Sequence, residues 1–271
     1  MWHEPSPNEV YCRRDSVASM MRRDQILIRT IQFGVVAVLF GAWYFASRSG
    51  QRGMLLLLPP PELVWRQMQL LWSSGRLASA ALVTVQEIVK AYLIAATAGI
   101  VVGFLVARSR NLVRIFEPVL AGLFAVPLTL FFPLFVVFFG IGPDSKVAYG
   151  ATYSFFPIAL NTIAGFSSVD ELYRRAARSM GATGVQQFRH VYLPGALPVT
   201  LTGLRIGFFI CIASVLGGET LAAAAGVGKS IALAAELMET ARLYAWIAFV
   251  VCASVILNLL VLAAETRGER D

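Results

Sequence analysis

Residues 174–198 read RRAARSMGATGVQQFRHVYLPGALP, a run from Arg174 to Pro198 that holds arginines and no acid, inside a chain that is 57% hydrophobic. The surroundings decide how such a basic island is read. Only 14% of the 271 residues are charged and the mean hydropathy is +0.68, whereas a soluble domain carries about 25% charged residues. The composition belongs to an all-α, polytopic membrane protein, because a chain that spans lipid as separate apolar segments must satisfy its backbone within helices. The net charge of +7 fits the Lys and Arg that collect in cytoplasmic loops. It does not point to nucleic acid as a partner, since no basic stripe with interleaved aromatics is present. Cys12, Cys211 and Cys252 lie too far apart in sequence to suggest a metal site or a disulfide framework.

A helix needs about 20 apolar residues to cross a hydrocarbon core. About six segments meet that need: 26–46, 80–107, 116–139, 146–166, 200–223 and 244–264. The third holds Pro118, Pro127 and Pro133 in or beside it. Proline frees backbone carbonyls, so this span is expected to pack inside the bundle rather than face lipid all round. Lys and Arg favour one side by roughly two to one, which puts both termini and the 174–198 stretch in the cytoplasm. The expected layout is a cytoplasmic, disordered tail at 1–25, an uncleaved first span at 26–46 and a periplasmic segment at 47–79. A five-helix core at 80–265 follows, with its loop at 167–198, and then a short cytoplasmic tail at 266–271.

Within the loop, Ser168 and Glu171 have the spacing of a capping box that opens a helix to Met180. Glu171 and Arg175, four residues apart, can pair across one turn. Gly181 is a natural helix stop. Thr183 and Gln186 repeat the cap spacing and open a second short helix that Leu193-Pro194 is expected to end, with Pro198 starting the next span. The result is a rigid knob whose Ala176 and Ala177 allow close approach. Read without relatives, the same segment also fits a basic helix lying on anionic membrane lipid.

The stretch resembles the cytoplasmic Glu-Ala-Ala loop of ABC importer permeases. The matching positions are Ala176, Ala177, Gly181, Val191, Leu193 and Pro194, while Arg175 stands where the family usually has glutamate. Around it, FFGIG, FFPIALNT, SVD, LPVTLTGLRIG and GVGKSIALAAEL occur in the order seen in the nitrate, sulfonate and taurine branch, so the resemblance covers roughly residues 80–265. It implies that Glu171, Arg175, Ala176, Ala177, Gly181, Ala182, Val191, Leu193 and Pro194 dock on a separate ABC ATPase subunit. Two ATPase copies would bind and hydrolyse ATP, and this chain would hold no cofactor. A homodimer of the permease and a periplasmic substrate-binding protein are implied partners, and the bacterial inner membrane the implied location. The implied solute is a small anion or zwitterion such as nitrate, a sulfonate or taurine, moved by alternating access. The same branch includes permeases for pyrimidine precursors of thiamine. A secondary transporter or channel working without ATP, and a membrane sensor that uses the loop only for docking, remain as rival classes.

No catalytic residue and no metal site is readable. GVGKS at Gly226–Ser230 lacks the first glycine of a phosphate-binding loop, since Ala223 occupies that position, and reads as a turn before the last span. Glu219, deep in the fifth span, has several open readings. It faces the translocation pathway, or it makes a structural hydrogen bond to a neighbouring helix, or it lies close enough to the outer interface to be solvated. Asn161 is the second pathway candidate and is expected to bond across helices. Glu87 and Lys90 are expected to pair with each other. Glu236, Glu239 and Arg242 are expected on a short solvated helix before the last span.

Overall fold

The computed structural model describes residues 30–31, 34–48 and 57–268. The expected tail at 1–25, part of the first expected span and residues 269–271 lie outside the described residues. The chain divides between Trp65 and Arg66 into two compact units. In the first, the indole of Trp43 on the apolar helix α1 (Gly34–Ala46) donates to the Pro59 carbonyl at 3.1 Å. Arg48 and Glu62 pair at 2.7 Å on the surface. A short helix, α2 (Pro61–Ser73), runs across the division.

The second unit is built on three long helices. They are α3 (Arg76–Ala107), α6 (Pro143–Ser167) and α9 (Leu193–Leu221). The buried stripe of α3 includes Ala91, Ala95, Gly99 and Gly103, spaced four apart, so one face is lined with small residues. A β-carbon on Gly99 would lie 2.7 Å from Ile158 Cγ2, and one on Gly103 would lie 2.6 Å from Thr162 Cβ. Helix α9 offers a similar face. A β-carbon on Gly207 would meet Ile158 from the other side at 2.5 Å, and one on Gly203 would run into Asn161. Helix α6 is therefore held between two small-residue faces, the packing that substitutes for a hydrophobic drive in lipid. Its Ile158, Ala159 and Ile163 are fully buried.

Such enclosure explains the composition of α6. Three helices, α3, the continuous run Gly184–Leu221 and Thr240–Leu260, are long and apolar enough to cross a membrane on their own. The bent pair described below is long and apolar enough for a fourth when its two helices are taken as one span. Helix α6 is more polar because its neighbours are protein. Its Ser154 and Thr162 hydroxyls each donate to a carbonyl one turn back at 2.7 Å. Against the expected six, the described residues hold three such helices, or four with the bent pair, beside the buried α6 and the 13-residue apolar α1.

Direction follows from the contacts. Ala91 lies near Gly150 and Gly103 near Thr162, so α3 and α6 run the same way. The chain between them must return across the bundle. It does so as α4 (Arg110–Ala125), a 3₁₀ turn (Leu128–Phe131) and α5 (Phe132–Phe139), bent by 74° at the break. The break sits at Val126, which is extended because the residue before proline avoids the helical region. The expected inward packing of this span is corrected here. Leu120 is the buried residue of α4 and Phe132 that of α5, while Val137 and Phe138 are 78% and 74% exposed. The break satisfies its backbone by turning, and its apolar side chains point away from the single chain.

Three further expectations are corrected. Asp170, not Ser168, caps α7 (Glu171–Ser179), with its carboxylate accepting the Leu172 N–H at 2.9 Å. The Ser168 hydroxyl instead donates to Gly165 at the end of α6. Leu193-Pro194 does not end a helix. Phe188–Tyr192 forms a π turn whose wider Leu193 N–H to Phe188 bond lets Pro194 sit at the first turn of α9 without a break. Pro198 accordingly lies inside α9. Beyond α9, Gly226 opens α10 (Val227–Glu236), and α11 (Thr240–Gly268) returns toward the loop end. Glu236 ends α10 and is exposed, and Glu239 pairs with Arg242 at 2.8 Å just beyond it.

Candidate functional site: the loop and the buried carboxylates

The loop is two capped helices set on an aromatic base. After α7, Gly181 takes the left-handed conformation with φ +76°, and the N–H groups of Gly181 and Ala182 bond back to Arg178 and Ala177. Thr183 then opens α8 (Gly184–Gln187) with the expected capping box, the Gln186 side chain accepting the Thr183 N–H at 2.8 Å. Gln187 donates to the Ala182 carbonyl at 2.9 Å, which closes the corner from the other side.

Glu171 sits among three arginines. Arg174 is in direct contact, Arg175 Nε lies 3.6 Å from one carboxylate oxygen and Arg110 lies 3.8 Å from the other. Arg175 is 76% exposed, so its pair with Glu171 sets orientation and adds little stability. The Arg174 guanidinium also lies 5.9 Å over the Tyr192 ring, joining α7 to the π turn. Ala176 is exposed, Ala177 and Ala182 are half-buried, and Val191, Leu193 and Pro194 lie on the π turn and the start of α9.

Two features of the loop were not read from sequence. The first is its outer surface. Leu172, Tyr173, Met180 and Val185 are 66% to 85% exposed, so a knob that looks basic in sequence presents large apolar side chains. Their scattered spacing among arginines hides them. The second is the base. Phe166 at the end of α6 and Phe188 in the π turn stack with rings 6.2 Å apart, and Phe104 near the end of α3 meets both edge-on at 5.1 and 5.4 Å. A displacement of α7 and α8 is therefore felt by α3, α6 and α9 together. The signal in sequence is three separated phenylalanines, which only the fold unites.

At the opposite end of the bundle, Glu219 of α9 is fully buried and bonded to two other helices. One oxygen accepts from the Thr84 hydroxyl of α3 at 2.7 Å, and the other accepts from the Gly228 N–H of α10 at 2.6 Å. Thr84 in turn accepts the Val227 N–H at 2.9 Å. A β-carbon on Gly226 would run into the Glu219 carboxylate, and one on Gly228 would lie 2.6 Å from Glu219 Cβ. The first turn of α10 thus rests directly on Glu219, using N–H groups that a helix start leaves free.

Glu87 does not pair with Lys90, which is exposed. It turns inward, 3% exposed, toward Glu219 and Lys146, and no donor among the described residues reaches its oxygens. Lys146 is 2% exposed and donates to the carbonyls of Ile141 and Gly142 at 2.8 and 2.6 Å. The inward turn arises because position 87 falls on the buried stripe of α3 with Thr84 and Ala91. Asn161 bonds within its own helix, to the Pro157 carbonyl at 2.8 Å, rather than across helices, because its side chain is held against Gly203. Among the described residues no cluster of His, Cys, Asp and Glu could hold a metal.

The family described as the binding-protein-dependent transport system inner membrane component matches residues 97–269, which hold the loop, its aromatic base, Glu219 and Gly228. The chain belongs to this family. Its members are membrane permease subunits of ABC transporters, not enzymes, and an importer permease is the role of this chain. The permease is 32% identical over 243 residues to the taurine transport system permease protein TauC of Escherichia coli (strain K12), covering 88% of each chain. It is 29% identical to the putative aliphatic sulfonates transport permease protein SsuC of Bacillus subtilis (strain 168), over 78% of this chain and 76% of that one. It is also 32% identical to the formylaminopyrimidine transport permease protein ThiX of Halalkalibacterium halodurans, over 77% of this chain and 81% of that one. Among solved structures, the inward-facing MetNI methionine ABC transporter has a chain with the same fold, at a TM-score of 0.53 and 21% identity, covering 68% of this permease and 91% of that chain.

Proposed function

We propose that this permease is the transmembrane half of an ATP-driven importer for a small sulfonate-like anion or zwitterion. The observation that supports the reading best is the loop: a rigid, capped knob with exposed Leu172, Tyr173, Met180 and Val185, mounted on the Phe104–Phe166–Phe188 base. Exposed apolar side chains on a rigid tip are what a protein partner covers. In this reading Glu171, Arg175, Ala176, Ala177, Gly181 and Ala182 meet a separate ATPase subunit, which binds and hydrolyses ATP. Val191, Leu193 and Pro194 carry its movement into α9.

Two permeases would pair about a twofold axis, the commonest oligomer symmetry, with the exposed apolar faces of α4 and α5 available to the partner copy or lipid. A substrate-binding protein would deliver the solute on the outer face of the inner membrane, and both termini would be cytoplasmic. The proposed pathway passes the α6 face that carries Asn161. Glu219 acts on it from the outer end, by fixing α10 across the bundle.

The solute class rests on the taurine and sulfonate relatives. A second reading, a neutral heteroaromatic solute, is favoured by the formylaminopyrimidine relative and by a riboflavin transport system permease of Chloroflexus aurantiacus that is also 32% identical. The test is co-purification of the permease from its native membrane, followed by reconstitution with its ATPase and binding protein. ATP-dependent uptake of taurine or an alkanesulfonate supports the proposal. Uptake of a pyrimidine with no sulfonate uptake supports the second reading. Absence of any associated ATPase, with solute flux intact, overturns both.

A further inference from the structure

The loop end of the bundle holds a cavity of about 720 Å³ that shares Val185 with the docking tip and is otherwise lined by residues outside the docking set. It lies where α3 and α6 end, α4 begins, and the loop folds back over them. Arg108, Arg110, Arg114 and Arg174 line it together with the aromatic base and Tyr192, whose ring lies beneath Arg174. Glu171 is the acid that faces these groups, and it is engaged by Arg110 and Arg174. Arg108 and Arg114 have no partner among the described residues, and the Nε of Arg174 is buried without an acceptor. The cavity is therefore cationic after its internal pairing is complete.

From this juxtaposition of unpaired guanidiniums and an aromatic wall at the end of a membrane span, we infer that the cavity binds the phosphodiester headgroup of an anionic phospholipid. A guanidinium offers a planar fork of donors that matches phosphate oxygens and is weakly hydrated, which suits a partly closed site. Basic pockets between spans are a general form of headgroup recognition. The second half of the ligand decides between a lipid and a free anion. Arg110 and Arg114 stand on the first turns of α4, whose next turns expose Ile115, Phe116 and Val119 to lipid. A headgroup held by the arginines can lay its acyl chain along this face. Free phosphate would satisfy the guanidiniums and leave the aromatic wall wet. Because the loop folds over the cavity, a bound lipid would also brace the knob against α3 and α4.

The inference rests on the membrane-spanning fold and not on the ATPase partner. It is tested on the full-length permease purified in mild detergent with any subunits it retains. Native mass spectrometry is run against phosphatidylglycerol and against phosphatidylcholine of the same acyl chains. Retention of phosphatidylglycerol is expected, weakened about tenfold in Arg108→Gln/Arg114→Gln, with phosphatidylcholine not retained. Arg114→Lys keeps the charge and loses the planar fork, so its binding is expected to fall between those of the wild type and the double variant, which separates loss of the site from loss of the fold. Equal lipid retention by the wild type and the double variant overturns the proposal. So does displacement of the lipid by millimolar inorganic phosphate, which would mark a free-anion site. Protection of the arginines only in the presence of a co-purified protein subunit, with no lipid bound, overturns it in favour of a protein contact.

Discussion

Glu219 and Gly228 are nine residues apart and joined by a 2.6 Å bond from the Gly228 N–H to a buried carboxylate oxygen. The same carboxylate holds Thr84, which holds Val227, so one side chain fastens α3, α9 and α10 at the end of the bundle away from the loop. Thr84→Val keeps the shape and removes both of these hydroxyl bonds. It leaves the Val227 N–H without its acceptor and one Glu219 oxygen without its donor, at an expected cost of about 1–3 kcal/mol. Amide hydrogen exchange is the sharper readout. Protection at Val227 and Gly228 should fall while α6 stays protected, and unchanged exchange at both amides would show that α10 is held by other means.

Gly226→Ala attacks the same lock from the backbone. Gly226 has φ +114°, a conformation that L residues rarely adopt, and its β-carbon would enter the Glu219 carboxylate. The strain alone costs about 1–3 kcal/mol, and the clash adds to it. The expected outcome is a lower melting temperature in detergent than that of Gly217→Ala, a control site on α9 with no atom within 4 Å of its would-be β-carbon. Equal melting of the two variants would argue against the lock.

Much of this was legible in sequence, and the misses have a common cause. The helical, membrane-spanning class follows from composition. The second cap of the loop follows from Thr183 and Gln186, and Gly181 is a helix stop because short-range backbone chemistry repeats across proteins. The failures concern partners far away in sequence. Glu87 and Lys90 are close along the chain and so look like a pair, but the small-residue face of α3 turns position 87 inward toward Glu219 and Lys146. Leu193-Pro194 reads as a stop, and the π turn that absorbs the proline has no local signature. For Glu219, the structural bond has its atoms in place, full burial removes the solvated reading, and its part in the pathway is a proposal.

Gly181→Ala separates strain from contact in the loop. With φ +76° and open space around its would-be β-carbon, the site meets no clash, so only the left-handed backbone is penalised, by about 1–2 kcal/mol. Gly181→Asn should cost less, since asparagine visits this region more readily. Both variants are expected to fold and insert. ATP-driven uptake should fall in the order Gly181, Asn, Ala, and an Ala variant with wild-type uptake would show that the corner need not be rigid.

Arg175→Glu tests the departure from the family pattern. Arg175 is 76% exposed and its bond partner is one carboxylate oxygen of Glu171 at 3.6 Å. Reversing it places two acids one turn apart, so the helix loses only a few tenths of a kcal/mol. Melting should be unchanged, and any change in ATPase stimulation would arise at the partner surface.

Phe188→Ala addresses transmission itself. The ring stacks on Phe166 and meets Phe104 edge-on, so its removal cuts the link from the loop to α6 and α3 while Asp170, Gly181 and the Thr183 cap stay in place. Phe188 is 37% exposed, so the truncation is expected to cost less than the 3–5 kcal/mol typical of a buried phenylalanine. Docking of the ATPase should persist, because the exposed tip is untouched. Uptake per ATP hydrolysed should fall severalfold. If uptake and hydrolysis drop together, the phenylalanine supports docking; if neither changes, movement reaches the spans through the continuous helix from Gly184 to Leu221 alone.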